Sequence, residues 1–131
     1  WLSWTNRGHQ PDQLPSTETL SKAIDFSVET DIECVLINCS HADIASNSIN
    51  ELKRANRFGI YANSSTFKEV DLSIATKDVD AIHHLNSEEI SAAEYARIAL
   101  SWAKDGAYVI GGCCGTTVEH TREIRKLMGD L

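Results

Sequence analysis

Residues 107–128 read AYVIGGCCGTTVEHTREIRKLM. A run suited to a buried strand, Ala107–Ile110, enters a glycine-rich turn and then a helical pattern that reaches about Met128. Thr116 with Glu119 offers a cap for that helix. Strand, tight turn and helix in direct succession form a βα unit, and the pattern recurs upstream. Cys34–Asn38, CVLIN, is a short apolar run of the kind that forms a buried strand. Ser40 and Asp43 then resemble a capping box, with Asp replacing the usual Glu, ahead of a helix to about Asn56.

The remaining segments fit the same scheme. Trp1–Thr5 reads as a strand, and 6–15 as a polar loop carrying Gly8, Pro11 and Pro15. Ser16 or Thr17 can cap a helix to about Val28, with Leu20, Ala23 and Ile24 on its apolar face. Phe58–Ala62 is a third strand. Residues 63–90 lack clear periodicity and are too many for an idle connection, so a functional loop or a short helix is expected there. Ser91 and Glu94 form a capping-box signature for a helix to about Lys104, which Gly106 stops.

The order β-α-β-α-β, long loop, α-β-α implies a parallel sheet with helical crossovers. Four βα units are half of a (β/α)8 barrel, which ordinarily takes ~250 residues. An open doubly wound sheet is the alternative. The chain opens on Trp1 and directly on an apolar strand, so we expect residues 1–131 to be a fragment of a longer protein.

Composition narrows the function classes. The net charge of −7 and the scattered Lys and Arg argue against a nucleic-acid partner. The densest basic group, Arg122, Arg125 and Lys126, alternates with Glu119 and Glu123 as a solvated helix face does. No apolar run approaches the roughly 20 residues that span a bilayer, so no membrane partner is expected. Four cysteines, two of them adjacent, in a chain with few glycines and prolines fit a reducing, cytoplasmic setting better than a secreted disulfide scaffold.

Three of those cysteines follow strands. Cys39 comes after Asn38, and Cys113 and Cys114 come after Ile110. In a parallel α/β architecture all strands end on one face, so these distant thiols can meet at one rim. Three thiolates select zinc among the common ions and leave its fourth position open, as in a catalytic site. The residues alone leave other readings open: a vicinal Cys113–Cys114 disulfide, thiol-redox chemistry at that pair, or chance neighbours. Cys34, inside its strand, reads as a small buried apolar residue. His41 is a candidate fourth ligand, although an open position argues against it. His83 and His84 read as exposed loop residues and His120 as a helix-surface residue. Trp1, Trp4 and Trp102 are expected in the core or at an open edge.

The string Gly111-Gly112-Cys113-Cys114-Gly115-Thr116-Thr117, followed by Glu119-His120, resembles the signature of the homocysteine S-methyltransferase family. Val118 and Thr121 stand where that family often has Pro and Ile. Ile37-Asn38-Cys39-Ser40 is similar to the family's Asn-Cys motif. Tyr61-Ala62-Asn63-Ser64 is similar to its Tyr-Pro-Asn-Ser segment, with Ala62 in place of Pro. Trp1-Leu2-Ser3-Trp4-Thr5 resembles one of its strands. The matches run in the family's order over most of the chain.

The resemblance implies the C-terminal half of a (β/α)8 TIM-type barrel. It implies Cys39, Cys113 and Cys114 as ligands of one Zn2+, homocysteine as methyl acceptor and methionine as product. The donor is expected to be S-methylmethionine or S-adenosylmethionine. Asn38, Asn63 and Ser64, at strand ends on the same rim, are the expected substrate-binding residues. The first half of such a barrel is lacking, so a non-catalytic zinc-binding half-barrel is an alternative. Self-association through the open barrel edges is expected of the isolated chain.

Overall fold

A computed structural model describes residues 1–68 and 87–129. Its main sheet has four strands: β1 (Leu2–Trp4), β2 (Val35–His41), β3 (Phe58–Asn63) and β6 (Val109–Gly112). They lie side by side in the order β1-β2-β3-β6, each pair parallel. Every connection is therefore a crossover, made by α1 (Leu20–Glu29), by α2 (Ala42–Asn47) with α3 (Ile49–Leu52), and by α4 (Ala92–Lys104). A last helix, α5 (Val118–Met128), follows β6. This is the expected βα alternation, with β1 and β6 at the two edges.

One face of the sheet is covered by helices. Val35, Ile37, Phe58, Ile60 and Ala62 point into a core with Leu20 and Ile24 of α1, Ala45 of α2, and Tyr95, Ala99 and Trp102 of α4. Alternation sends Ser3, Leu36, Asn38, Gly59, Tyr61 and Val109 to the opposite face. Trp102 is fully buried, donates its indole N–H to Ser46 Oγ at 2.7 Å and meets Tyr95 edge-on. Trp4 packs at the core margin, and Trp1 is 70% exposed beside the edge strand.

Several boundaries differ from those the sequence suggests. The first helix starts at Leu20, because Thr19 rather than Ser16 or Thr17 accepts the N–H of Lys22. Thr17 instead takes a left-handed turn conformation. Ser40 and Asp43 form no capping box: Ser40 Oγ accepts the backbone N–H of Asn6, and Asp43 accepts that of Phe67. The expected single helix to Asn56 breaks at Ser48 and ends at Leu52. Ser48 Oγ is drawn into bonds with Pro11 O, Ile44 O and the Asn6 amide. The second strand runs on to His41, and the fourth spans Val109–Gly112 rather than Ala107–Ile110. Ser91 caps α4 as read, and Gly106 closes it with φ +99°.

The aperiodic stretch holds a second sheet at both of its ends. β4 (Ser65–Phe67) pairs antiparallel with β5 (Ser87–Glu89). His83 and His84 lie outside the described residues. Among the described residues no helix is long and apolar enough to cross a membrane.

Candidate metal centre

Cys39 reaches the rim through an irregularity in its strand. β2 and β3 pair in register as far as Asn38 and Tyr61, then resume at His41 and Asn63, so β2 carries one extra residue. Within that bulge Cys39 has φ +49°, a left-handed backbone that costs a non-glycine residue about 1–3 kcal/mol. Regular strand geometry would alternate Cys39 onto the helix-covered face occupied by Ile37. The bulge turns its sulfur to the rim instead.

Cys113 and Cys114 are fixed by the end of β3. The Cys113 N–H donates to Ala62 O at 2.8 Å, extending the β3–β6 ladder by one bond. The Cys114 N–H donates to Asn63 Oδ1 at 3.1 Å, and Cys114 O accepts the Ser64 N–H at 3.0 Å. Thr116 closes the turn, with its N–H and its Oγ1 both on Cys113 O. Two glycines are required by this packing. A Cβ on Gly112 would lie 2.5 Å from Thr116 Cγ2, and Gly115 has φ +76° with Ser64 Oγ in the place of a side chain.

Behind the loop, Tyr95 is fully buried, and its hydroxyl bonds Ala62 O and Gly111 O, each at 2.9 Å. Burial pushes the phenol well above its ordinary range, so it stays a neutral donor. The final helix is capped by Thr117, not Thr116. The Thr117 N–H donates to His120 Nδ1, with His120 in the position that Glu usually fills. His120 is consequently buried against the Tyr95 ring, not on the helix surface as its sequence position suggests.

The three sulfurs converge. All lie within 4.8 Å of one another, with Cys39 to Cys113 at 2.6 Å and Cys113 to Cys114 at 4.0 Å. All four cysteines are free. The hydrogen bond with Cys113 lowers the Cys39 thiol below its usual range, against burial, with help from bonds to Asn38 and Cys114. Burial, and then the neighbouring sulfurs, push Cys113 up to about 11. Cys34 is fully buried in β2, and burial raises its thiol. It takes no part in the cluster.

This donor set suits a soft divalent ion. A tetrahedral zinc with ~2.3 Å bonds holds its sulfurs about 3.8 Å apart. The Cys113–Cys114 separation is close to that, and the Cys39–Cys113 pair must open by about an ångström.

Cys39 and Cys114 border a cavity of about 360 Å3 that is also lined by His41, Asn63, Ser64 and Glu89, among others. Asn63, the last residue of β3, and Ser64 after it are both in this lining. Asn38 lies on the sheet face away from the described helices, accepting a hydrogen bond from Ser3. His41 is buried with Nδ1 on Ser65 Oγ at 2.9 Å and is not in the sulfur cluster. Sequence reading missed Ser65, Ser87 and Glu89 as cavity walls, because the β4–β5 pair that carries them has no periodic signature.

Four parallel strands with helical crossovers and three cysteine sulfurs gathered at their carboxyl ends define an α/β protein with a candidate metal centre at the sheet rim. The homocysteine S-methyltransferase family model matches residues 1–128, and the chain belongs to that family. Two crystal structures of the homocysteine methyltransferase MmuM from Escherichia coli are similar in fold. The oxidized form superposes with a TM-score of 0.57 at 18% identity over 97% of this chain. The metallated form gives 0.58 at 16% identity over 95%. In each case the match covers 35% of the MmuM chain. No curated protein sequence matches the chain.

Proposed function

We propose that residues 1–131 are the C-terminal half of a homocysteine S-methyltransferase barrel, and that the whole protein transfers a methyl group to the thiol of homocysteine, giving methionine. The observation that carries this reading is the convergence of Cys39, Cys113 and Cys114 within 4.8 Å at the carboxyl ends of two parallel strands. The three residues are proposed to hold one Zn2+. Bound there, zinc supplies the charge that keeps a substrate thiol deprotonated at neutral pH. The family match and the metallated form of MmuM support the assignment.

The chain's own residues hold and shape the site. The strand bulge presents Cys39, and Asn63 and Thr116 fix the loop carrying Cys113 and Cys114. Asn63, Ser64 and Glu89 line the adjoining cavity with donors and acceptors suited to the polar end of an amino acid. The substrate thiolate attacks the methyl carbon of a sulfonium donor, S-methylmethionine or S-adenosylmethionine. A new S–CH3 bond forms as the old one breaks, and the donor leaves as a neutral thioether.

Half a barrel supplies only part of what positions acceptor and donor, and effective positioning is a large share of such catalysis. We therefore expect the isolated 131-residue chain to retain metal with little turnover. Its edge strands β1 and β6 favour self-association. The test is methionine formation by the full-length protein from homocysteine with each sulfonium donor in turn. Turnover that vanishes in Cys39→Ala, Cys113→Ala and Cys114→Ala supports the reading. A Cys114→Ala protein as active as its parent overturns it.

A further inference from the structure

The small sheet beside the sulfurs carries two successive glutamates on opposite faces. In the β4–β5 register Ser65 stands opposite Glu89, Thr66 opposite Glu88 and Phe67 opposite Ser87. Alternation puts Ser65, Ser87 and Glu89 on one face and Glu88 on the other. Ser65, Ser87 and Glu89 accordingly line the cavity with Cys39 and Cys114, and Glu88 does not. Two backbone bonds anchor this stretch to the sulfur loop. The Ile90 N–H donates to Ser64 O at 3.1 Å, and the Ser64 N–H donates to Cys114 O at 3.0 Å. Across the pair, Ser65 Oγ meets His41 Nδ1 at 2.9 Å.

The lining is unbalanced in charge. It holds the Glu89 carboxylate and the thiols of Cys39 and Cys114, and neither Lys nor Arg. The Glu89 carboxylate has no ion pair or hydrogen bond among the described residues. Donors come from the end of β3. Asn63 Oδ1 accepts the Cys114 N–H, which fixes the amide and leaves its NH2 group to donate, and Ser64 adds a hydroxyl. An acceptor at Glu89 and donors at Asn63 and Ser64 match the two charges of an amino-acid zwitterion.

We propose that Glu89 is the counter-charge for a cationic group of an amino-acid substrate, and so determines specificity in the cavity beside the three thiols. The inference rests on the methyl-transfer reading above and deepens it. The cation has two possible sources, the acceptor and the sulfonium donor, because both carry an ammonium group and the donor carries a positive sulfur as well. An ammonium keeps its charge throughout the reaction, so its partner contributes equally to substrate and transition state, and losing that partner raises KM and spares kcat. A sulfonium loses its charge as the methyl group leaves, so a carboxylate beside it holds the substrate more tightly than the transition state.

The experiment is steady-state kinetics of the full-length protein, with homocysteine and S-methylmethionine varied in turn and zinc content measured alongside. Glu89→Gln keeps the shape and removes the charge. Since Glu89 is exposed, it is expected to raise KM for one substrate by about 5- to 20-fold, the lower part of the range for charged hydrogen bonds, with zinc unchanged. Glu89→Lys is expected to raise that KM further. Glu88→Gln makes the same charge change on the opposite face and is expected to match the parent. An acceptor lacking its amino group and a donor lacking its amino group separate the sources. The Glu89→Gln penalty disappears with the one whose ammonium Glu89 meets, and a penalty that survives both assigns the contact to the sulfonium. If Glu89→Gln and Glu89→Lys match the parent in both KM values, or Glu88→Gln shows the same penalty as Glu89→Gln, the proposal is overturned and methyl transfer stands. If the parent does not turn over, or Cys114→Ala is as active as the parent, the methyl-transfer reading falls and takes this inference with it.

Discussion

Replacing Gly112 by Ala tests whether the two-cysteine loop is held as tightly as its packing indicates. The new Cβ would sit 2.5 Å from Thr116 Cγ2 and Oγ1 and 2.7 Å from Thr116 Cβ. Rotating the threonine side chain relieves the first two contacts but not the third, because Cβ is fixed to the backbone. Ordinary contact begins near 3.4 Å, so the 113–116 turn must move by at least about 0.7 Å. Thr116 is bonded to Cys113 O through both its N–H and its hydroxyl, so the displacement carries Cys113 with it. Overpacking of this kind costs about 1–3 kcal/mol. If half of that falls on the metal-bound geometry, affinity drops about 2- to 12-fold at 1.4 kcal/mol per decade. The neighbouring Gly111→Ala is the control, since its Cβ meets only Tyr61 Cβ at 3.3 Å and a few tenths of an ångström suffice. Urea denaturation and zinc competition on the pair should show Gly112→Ala clearly worse in both. Equal behaviour of the two variants refutes the claim that Gly112 is needed for close approach.

Other consequences can be checked on the same material. Tyr95→Phe removes the one donor shared by Ala62 O and Gly111 O, and should cost about 1–2 kcal/mol by chemical denaturation with an unchanged m-value. Cys34→Ala should keep full metal binding and lose about 1 kcal/mol or less of stability, since it sits in the core away from the cluster. The pH dependence of zinc affinity has a definite sign. Burial and the neighbouring sulfurs push Cys113 up to about 11, so its proton is present at neutral pH and must leave when metal binds. Affinity should rise as pH is raised from ~6 to ~9, with proton release measurable in buffers of different ionisation enthalpy. A flat profile contradicts thiolate ligation.

The sheet was readable because its strands are short apolar runs, CVLIN and its counterparts, separated by capped helices. What escaped reading depends on contacts between distant segments. Ser48 breaks the second crossover helix only because Pro11 and Asn6 come to meet it from the first loop. The extension of β2 to His41 passes through a bulge that has no sequence mark, since Cys39 is not a residue type expected at positive φ. His120 is buried because its ring caps a helix, a task usually given to Glu. Within the candidate site, the three cysteines were legible as residue type plus position after a strand. Ser65, Ser87 and Glu89 were hidden by the antiparallel β4–β5 pair.

The central claim is that Cys39, Cys113 and Cys114 together hold one metal ion. X-ray absorption at the zinc edge, on full-length protein purified under reducing conditions, addresses it directly. The account predicts one zinc per chain with three sulfur scatterers at about 2.3 Å and one lighter atom completing the shell. It predicts loss of one sulfur scatterer, or of the metal altogether, in each of the three Cys→Ala variants and no change in Cys34→Ala. A zinc-free protein with these thiols freely titratable, or a shell with fewer than three sulfurs, contradicts it.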